Sequence, residues 1–254
     1  MRKQEKTVSS AVLLIGHGSR DPEGNQEFWQ LVTRFQATTP FPIVEGSFLE
    51  FARPTIRDGI ACCVARGAET ITVVPGMLLA AGHVKRDIPR EVQEAHRSYP
   101  AITFSLGKHL YPHPKLIELC QVRIEEASGG GENRKDTLLL VVSRGSRHPG
   151  AQADMQELTH LLGTRMGFGQ AIACYLGVAS PRLPEALTWG IGLGYPRILV
   201  FPFLLFTGVL EKRVRQVVAT FAGQHAHVEF LLAPYLYGHP LLIEALQERV
   251  DEAG

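Results

Sequence analysis

Two histidines and a glutamate stand where a folded chain can use them for ion or proton chemistry. His17 lies in Gly16-His17-Gly18-Ser19-Arg20-Asp21-Pro22, directly after an apolar run. Glu50 follows a second run and precedes Arg53 and Pro54, and His83 follows Gly82 beyond a third. Two imidazoles and a carboxylate form a donor set for a borderline divalent metal such as Fe, Co, Ni or Zn. The same groups serve as general bases near neutral pH. Each residue has an ordinary explanation when taken singly. A histidine at a strand end is commonly a satisfied polar group, and Glu50 can pair with Arg53. The case for chemistry rests on their joint placement.

An internal duplication sharpens that case. Shifted by 127 residues, the sequence overlays itself without gaps for about 75 positions. Gly18-Ser19-Arg20 falls on Gly145-Ser146-Arg147, Pro22 on Pro149, and Phe48-Leu49 on Tyr175-Leu176. Ala52 and Pro54 fall on Ala179 and Pro181, Pro75 on Pro202, and Lys85-Arg86 on Lys212-Arg213. With one residue of slip, Tyr111, His113 and Pro114 match Tyr237, His239 and Pro240. The three candidate residues are the ones that change: His17 maps to Arg144, Glu50 to Gly177 and His83 to Leu210. A role in the scaffold would tend to survive in both copies. His113 and His239 do recur, each before a proline and a helix, which points to capping.

Such groups need a frame to bring them together. In the first half, apolar runs at Val12–Ile15, Ile43–Phe48, Ile71–Val74 and Ile102–Phe104 read as buried strands, and Glu23–Phe35, Thr55–Arg66, Lys85–Arg97 and Lys115–Glu126 as helices. The second half repeats the pattern, with strands near Leu138–Val142, Ala171–Leu176, Ile198–Phe201 and Val228–Leu232. Alternation of strand and helix implies crossover connections and a parallel sheet. The expected architecture is α/β: two similar domains, each a parallel sheet flanked by helices, with a cleft between them. The expected boundaries are 1–128 for a domain carrying the reactive residues, 129–136 for a Gly-rich polar linker, and 137–254 for a degenerate repeat. Ligands of open parallel sheets bind beyond the carboxyl ends of the strands, where His17, Glu50 and His83 all fall.

Composition excludes several classes. The chain has 254 residues, 45% hydrophobic and 20% charged, with a formal net charge of +1. That is ordinary for a globular protein and gives no global field toward nucleic acid or a membrane surface. The apolar stretch from Ile198 to Leu210 is too short to span a bilayer and is broken by Pro202. The N-terminal VLLIG is expected to be a buried strand and not a signal peptide. None of Cys62, Cys63, Cys120 and Cys174 sits in a CxxC pair, so they read as small buried hydrophobes of a cytoplasmic protein. HExxH, GxxxxGK[ST] and GxSxG are absent. Gly190, Gly192 and Gly194 precede a strand and read as a helix-to-strand turn. Around the candidate site, Arg20, Arg53, Lys85 and Arg86, with Arg144, Arg147, Lys212 and Arg213 of the repeat, suggest a pocket for a polyanion; solvated helix-flanking charges are the plainer reading. Met77, Leu78 and Leu79, with Phe203, Leu204, Leu205 and Phe206, either wall a flat ligand or belong to the core.

The stretches GHGSRDPEGNQEF (Gly16–Phe28), SFLEFARPTI (Ser47–Ile56) and VVPGMLLAAGHVKRDIP (Val73–Pro89) resemble the class II chelatases, which insert a divalent metal into sirohydrochlorin in siroheme and cobalamin synthesis. The resemblance extends over essentially the whole chain, including the duplication of the longer members. It implies a chelatase-like fold of two α/β domains, no requirement for a nucleotide, and sirohydrochlorin as the small-molecule partner. His17 and His83 are then the catalytic and metal-holding histidines and Glu50 the accompanying carboxylate. Ser19, Arg20, Arg53, Lys85, Arg86, Arg144 and Arg147 become substrate-binding candidates, since the macrocycle is flat, apolar and rimmed with carboxylates. The chain has neither a His-rich tract nor a cysteine-ligated cluster segment, which tilts the expected metal toward Fe2+ over Co2+, with Ni2+ also suited to the donors. A duplicated chain can hold a complete site as a monomer. Two rivals stay open: a metal or tetrapyrrole carrier without turnover, and an α/β enzyme in which His17 acts on a phosphate held at the following helix N-terminus.

Overall fold

A computed structural model describes residues 9–80, 82–129 and 134–254, without the side chain of His83. Among the described residues, eight strands alternate with eight α-helices. In order they are β1 (Ser10–Gly16), α1 (Pro22–Thr38), β2 (Ile43–Phe48), α2 (Ile56–Ala65), β3 (Thr70–Pro75), α3 (Ile88–Ser98), β4 (Thr103–Leu106), α4 (Pro114–Ser128), β5 (Thr137–Ser143), α5 (Pro149–Met166), β6 (Gln170–Tyr175), α6 (Leu183–Gly192), β7 (Arg197–Pro202), α7 (Val209–Gln224), β8 (Glu229–Leu232) and α8 (Pro240–Asp251). They form two four-stranded parallel sheets, ordered β2-β1-β3-β4 and β6-β5-β7-β8. The α/β architecture expected from the alternating runs is therefore the one observed, and β2 has the bounds read from sequence. Every described helix is too short or too polar to cross a membrane.

The order of the first sheet places the site. β1 is central, with Gly16 registered on Phe48 of β2 and Ile15 on Pro75 of β3. The loops after these three neighbouring strands carry His17, Glu50 and His83. Adjacent strands lie about 5 Å apart, so three residues scattered over 66 positions are brought to one sheet edge. β1 is apolar on both sides because both faces are covered. Leu13 and Ile15 face α2 and α3 through Ile56, Ile60, Cys63 and Ile88, all buried. The buried Phe28 of α1 supports the other side of the site loop: its ring lies where a Cβ on Gly16 would sit, and it packs 4.8 Å from Phe48, ring centroid to ring centroid.

The sequence halves are not the units of packing. One compact unit comprises residues 1–110 and 243–254, the other residues 111–242. The expected boundaries 1–128 and 137–254 follow the sequence repeat, and the packing units differ from them by an exchange of terminal helices. α4 packs on α5, β7 and β8 of the second unit. From Ile243 onward α8 belongs to the first, where Gln247 donates to the Thr38 carbonyl at 3.1 Å and Arg249 to the Leu110 carbonyl at 3.1 Å. Amphipathic periodicity shows that a helix buries a face but not which sheet receives it. Of the expected linker, residues 130–133 lie outside the described residues, and Arg134–Asp136 form a single 3-10 turn.

A second departure concerns α3, expected from Lys85. The chain first makes a π-helical turn, His83–Asp87, and becomes α-helical at Ile88. The repeat explains it. β3 and β7 keep the 127-residue offset, but the C-caps Tyr99 and His225, and the strands β4 and β8 after them, stand 126 apart. The first half therefore holds one additional residue between its third strand and the end of α3. A π turn absorbs one residue within a helix, and the matching helix α7 is α-helical from Val209.

Candidate active site

His17 and Glu50 meet. His17 Nε2 lies 3.3 Å from Glu50 Oε1, with the two side chains 31% and 32% exposed. The backbone sets up this pairing: the amides of Leu49 and Glu50 donate to the carbonyls of Gly16 and His17 at 2.9 and 3.0 Å, extending the β1–β2 pairing past the strand ends. Gly18 has φ +86° and passes close under the second loop; a Cβ there would lie 1.7 Å from the Glu50 carbonyl oxygen. The far end of the first loop is held by Asn25, which accepts from the Ser19 amide and donates to the Ser19 carbonyl, both at 2.8 Å. The Ser19 hydroxyl accepts from the Asp21 amide at 3.0 Å, and Asp21 caps α1.

His17 Nδ1 lies 3.3 Å from the Gly18 carbonyl oxygen. With Nδ1 protonated and directed there, the Nε2 lone pair faces a carboxylate oxygen. Two acceptors at that distance call for a cation or a proton between them. A metal about 2.1 Å from each donor would see them about 100° apart, an ordinary angle for cis ligands. His83 opens the π turn beyond β3; its side chain lies outside the described residues, and among the described residues no three His, Cys, Asp or Glu side chains gather as a metal cage.

The second unit builds a similar loop with Arg144 and Gly177 in place of His17 and Glu50. Gly145 has φ +89°, the Ser146 hydroxyl accepts from the His148 amide at 3.0 Å, and Gln152 donates to the Ser146 carbonyl at 2.7 Å. Leu176 donates to the Ser143 carbonyl at 3.0 Å, as Leu49 does to Gly16. Ser19 and Ser146 thus share one loop-shaping role. His113 and His239 likewise accept, through Nδ1, from the amides of Lys115 and Leu241 at 3.2 Å, the capping expected of them.

The cations are exposed. Arg53, 83% exposed, faces Asp58 at 3.5 Å and so is not the partner of Glu50. Arg20, Lys85, Arg86, Arg144, Arg147, Lys212 and Arg213 are also exposed. Met77 and Phe203 belong to the core, whereas Leu78, Leu79, Leu204, Leu205 and Phe206 are half-buried. Cys63, Cys120 and Cys174 are buried as expected; burial pushes the Cys63 thiol up to about 12, with Glu45 adding to it, and raises the other two as well. Cys62 is exposed, a correction to the expectation that all four are interior. A groove of about 560 Å³ along β6, lined by Gln156, Thr159, His160 and Trp189 among others, holds none of the sequence-chosen site residues.

Phe51 escaped the sequence reading. Its ring stacks on His17, centroids 6.1 Å apart and planes 26° apart, and the Arg20 guanidinium carbon lies 4.9 Å from its centroid. An aromatic residue beside a strand end gives no signal that separates it from core.

Comparison with known proteins gives the family. The CbiX family model matches residues 11–127 and again 138–253. A sirohydrochlorin cobaltochelatase of Priestia megaterium is 38% identical over 95% of this chain and 79% of its own. A sirohydrochlorin ferrochelatase of the same organism is 34% identical over 97% and 91%. The crystal structure of the sirohydrochlorin chelatase SirB from Bacillus subtilis subspecies spizizenii in complex with cobalt is 30% identical, with a TM-score of 0.81 over 96% of this chain and 94% of that one.

Proposed function

The chain belongs to the CbiX family, and from that premise we propose that it is a sirohydrochlorin chelatase, inserting Fe2+ or Co2+ into the tetrapyrrole without a nucleotide. The observation that supports this reading best is the His17–Glu50 pair at the ends of β1 and β2. His83 opens the turn after β3, and the repeat lacks all three.

The ion is a substrate here, and insertion needs two things of the protein. The ion must leave water without a large penalty, and two pyrrole N–H protons must leave as metal–nitrogen bonds form. A neutral His17 imidazole supplies a lone pair and Glu50 a negative charge that offsets the ion. The same pair accepts one of the two protons once the ion has moved on, and His83 the other. His83 is the second imidazole of the set. Arg20, Arg53, Lys85, Arg86, Arg144 and Arg147, with Ser19, are proposed to meet the carboxylates of the macrocycle.

An anaerobic absorbance assay of sirohydrochlorin with Fe2+, Co2+ and Ni2+ in turn tests the proposal. Many turnovers per protein with Fe2+ or Co2+, and no added nucleotide, are expected. Uptake that stops at one equivalent marks a carrier instead, and no spectral change with any ion rejects the reading.

The repeat supplies a separate prediction. Arg144 replaces His17 at the end of its own central strand and carries charge but no lone pair. Arg144→Ala is expected to raise KM about tenfold, the value of one charge-assisted contact, and to change kcat little. An unchanged KM removes Arg144 from the binding set.

A further inference from the structure

Phe51 is the one described non-glycine residue with positive φ, at +63°. The Ala52 amide donates to the Glu50 carbonyl at 2.8 Å across it, which closes a three-residue turn of the rare, strained hand. The repeat closes the same turn, Ala179 to Gly177 at 2.9 Å, around Val178, which is not among the positive-φ residues. The unusual hand is thus particular to the half that holds His17 and Glu50. Strain of this kind persists only where something else fixes it. Packing does not, because Phe51 is 51% exposed. Asn or Gly would fit the turn more easily, and a polar residue would suit the water. The ring instead contacts the His17 imidazole and the Arg20 guanidinium, and about half of the residue is open to solvent.

We propose that Phe51 is a binding residue, an aromatic platform on which the flat face of the tetrapyrrole stacks, with Arg20 beside it for a rim carboxylate. This rests on the chelatase reading above. Stacking between an aromatic side chain and a flat conjugated ring is strong enough to favour such a ligand. The contact with His17 would hold the bound ring within reach of the imidazole.

Titration of metal-free sirohydrochlorin into wild type, Phe51→Tyr, Phe51→Leu and Phe51→Gly, with melting temperatures and Co2+ insertion rates for each, decides the matter. Phe51→Tyr is expected to bind like wild type. Phe51→Leu and Phe51→Gly are expected to bind about tenfold more weakly, and Phe51→Gly to melt at or above the wild-type temperature, since glycine relieves the turn. Loss of affinity without loss of stability is a pattern that a structural role does not produce. Wild-type affinity in the leucine and glycine variants overturns the platform alone, as does a Phe51→Gly protein that melts well below wild type. Wild type that binds no sirohydrochlorin overturns the chelatase reading and the platform with it.

Discussion

Replacing His17 by alanine is expected to lower chelatase turnover by about two to four orders of magnitude, the range for a lost proton-transfer group, and His83→Ala by a comparable factor. The effect on His17 follows from its partner. Without the imidazole, Glu50 loses its partner 3.3 Å away, and under the proposed mechanism the ion is left with Glu50 and His83. Folding should change little. His17 is about a third exposed, and the repeat builds a similar loop around Arg144 with three matching hydrogen bonds, from Leu176 to Ser143, from His148 to Ser146 and from Gln152 to Ser146. The measurement is steady-state turnover under anaerobic conditions beside a thermal melt. Near-normal turnover in both single variants would remove the two histidines from the mechanism.

Gly18→Ala is expected to be the most damaging small substitution in the site loop, and Gly145→Ala its mild control. Both glycines have nearly the same left-handed backbone, φ +86° and +89°, so alanine meets the same intrinsic cost at each, about 1–2 kcal/mol. Their surroundings differ. At Gly145 the nearest atom to an added Cβ is that of Tyr175, at 3.3 Å, and a small shift accommodates it. At Gly18 the Glu50 carbonyl would be only 1.7 Å away, and that oxygen belongs to the strained turn around Phe51. The loops must separate, breaking the hydrogen bond from the Glu50 amide to His17 at about 1 kcal/mol and the alignment of the reactive pair. Gly18→Ala should therefore cost about 3 kcal/mol, or about 10 °C in melting temperature, and take turnover down with it. Gly145→Ala should cost about 4 °C and leave kcat near wild type. Equal effects at the two sites would show that the close approach to Glu50 does not matter.

Both predictions use a contrast already visible in the chain. The overlay at 127 residues, the strand and helix alternation, and the restriction of His17, Glu50 and His83 to one copy are one-dimensional facts. Strand β2 was bounded by its apolar run alone, and the N-terminal apolar patch read as β1 pairs with two neighbours as expected. The one-residue slip between copies was visible too, but its place was not. Only the structure puts it in the span of the π turn at His83–Asp87.

The amino-acid order by itself determined which residues stand at strand ends and which copy holds His17, Glu50 and His83, because side-chain period and duplication are written locally. Tertiary structure alone decided three things: that α4 and α8 change places between packing units, that Glu50 turns to His17 while Arg53 turns to Asp58, and that Phe51 sits in a left-handed turn beside them. Each is settled by competition among partners distant in the chain, and periodicity carries no information about which partner wins.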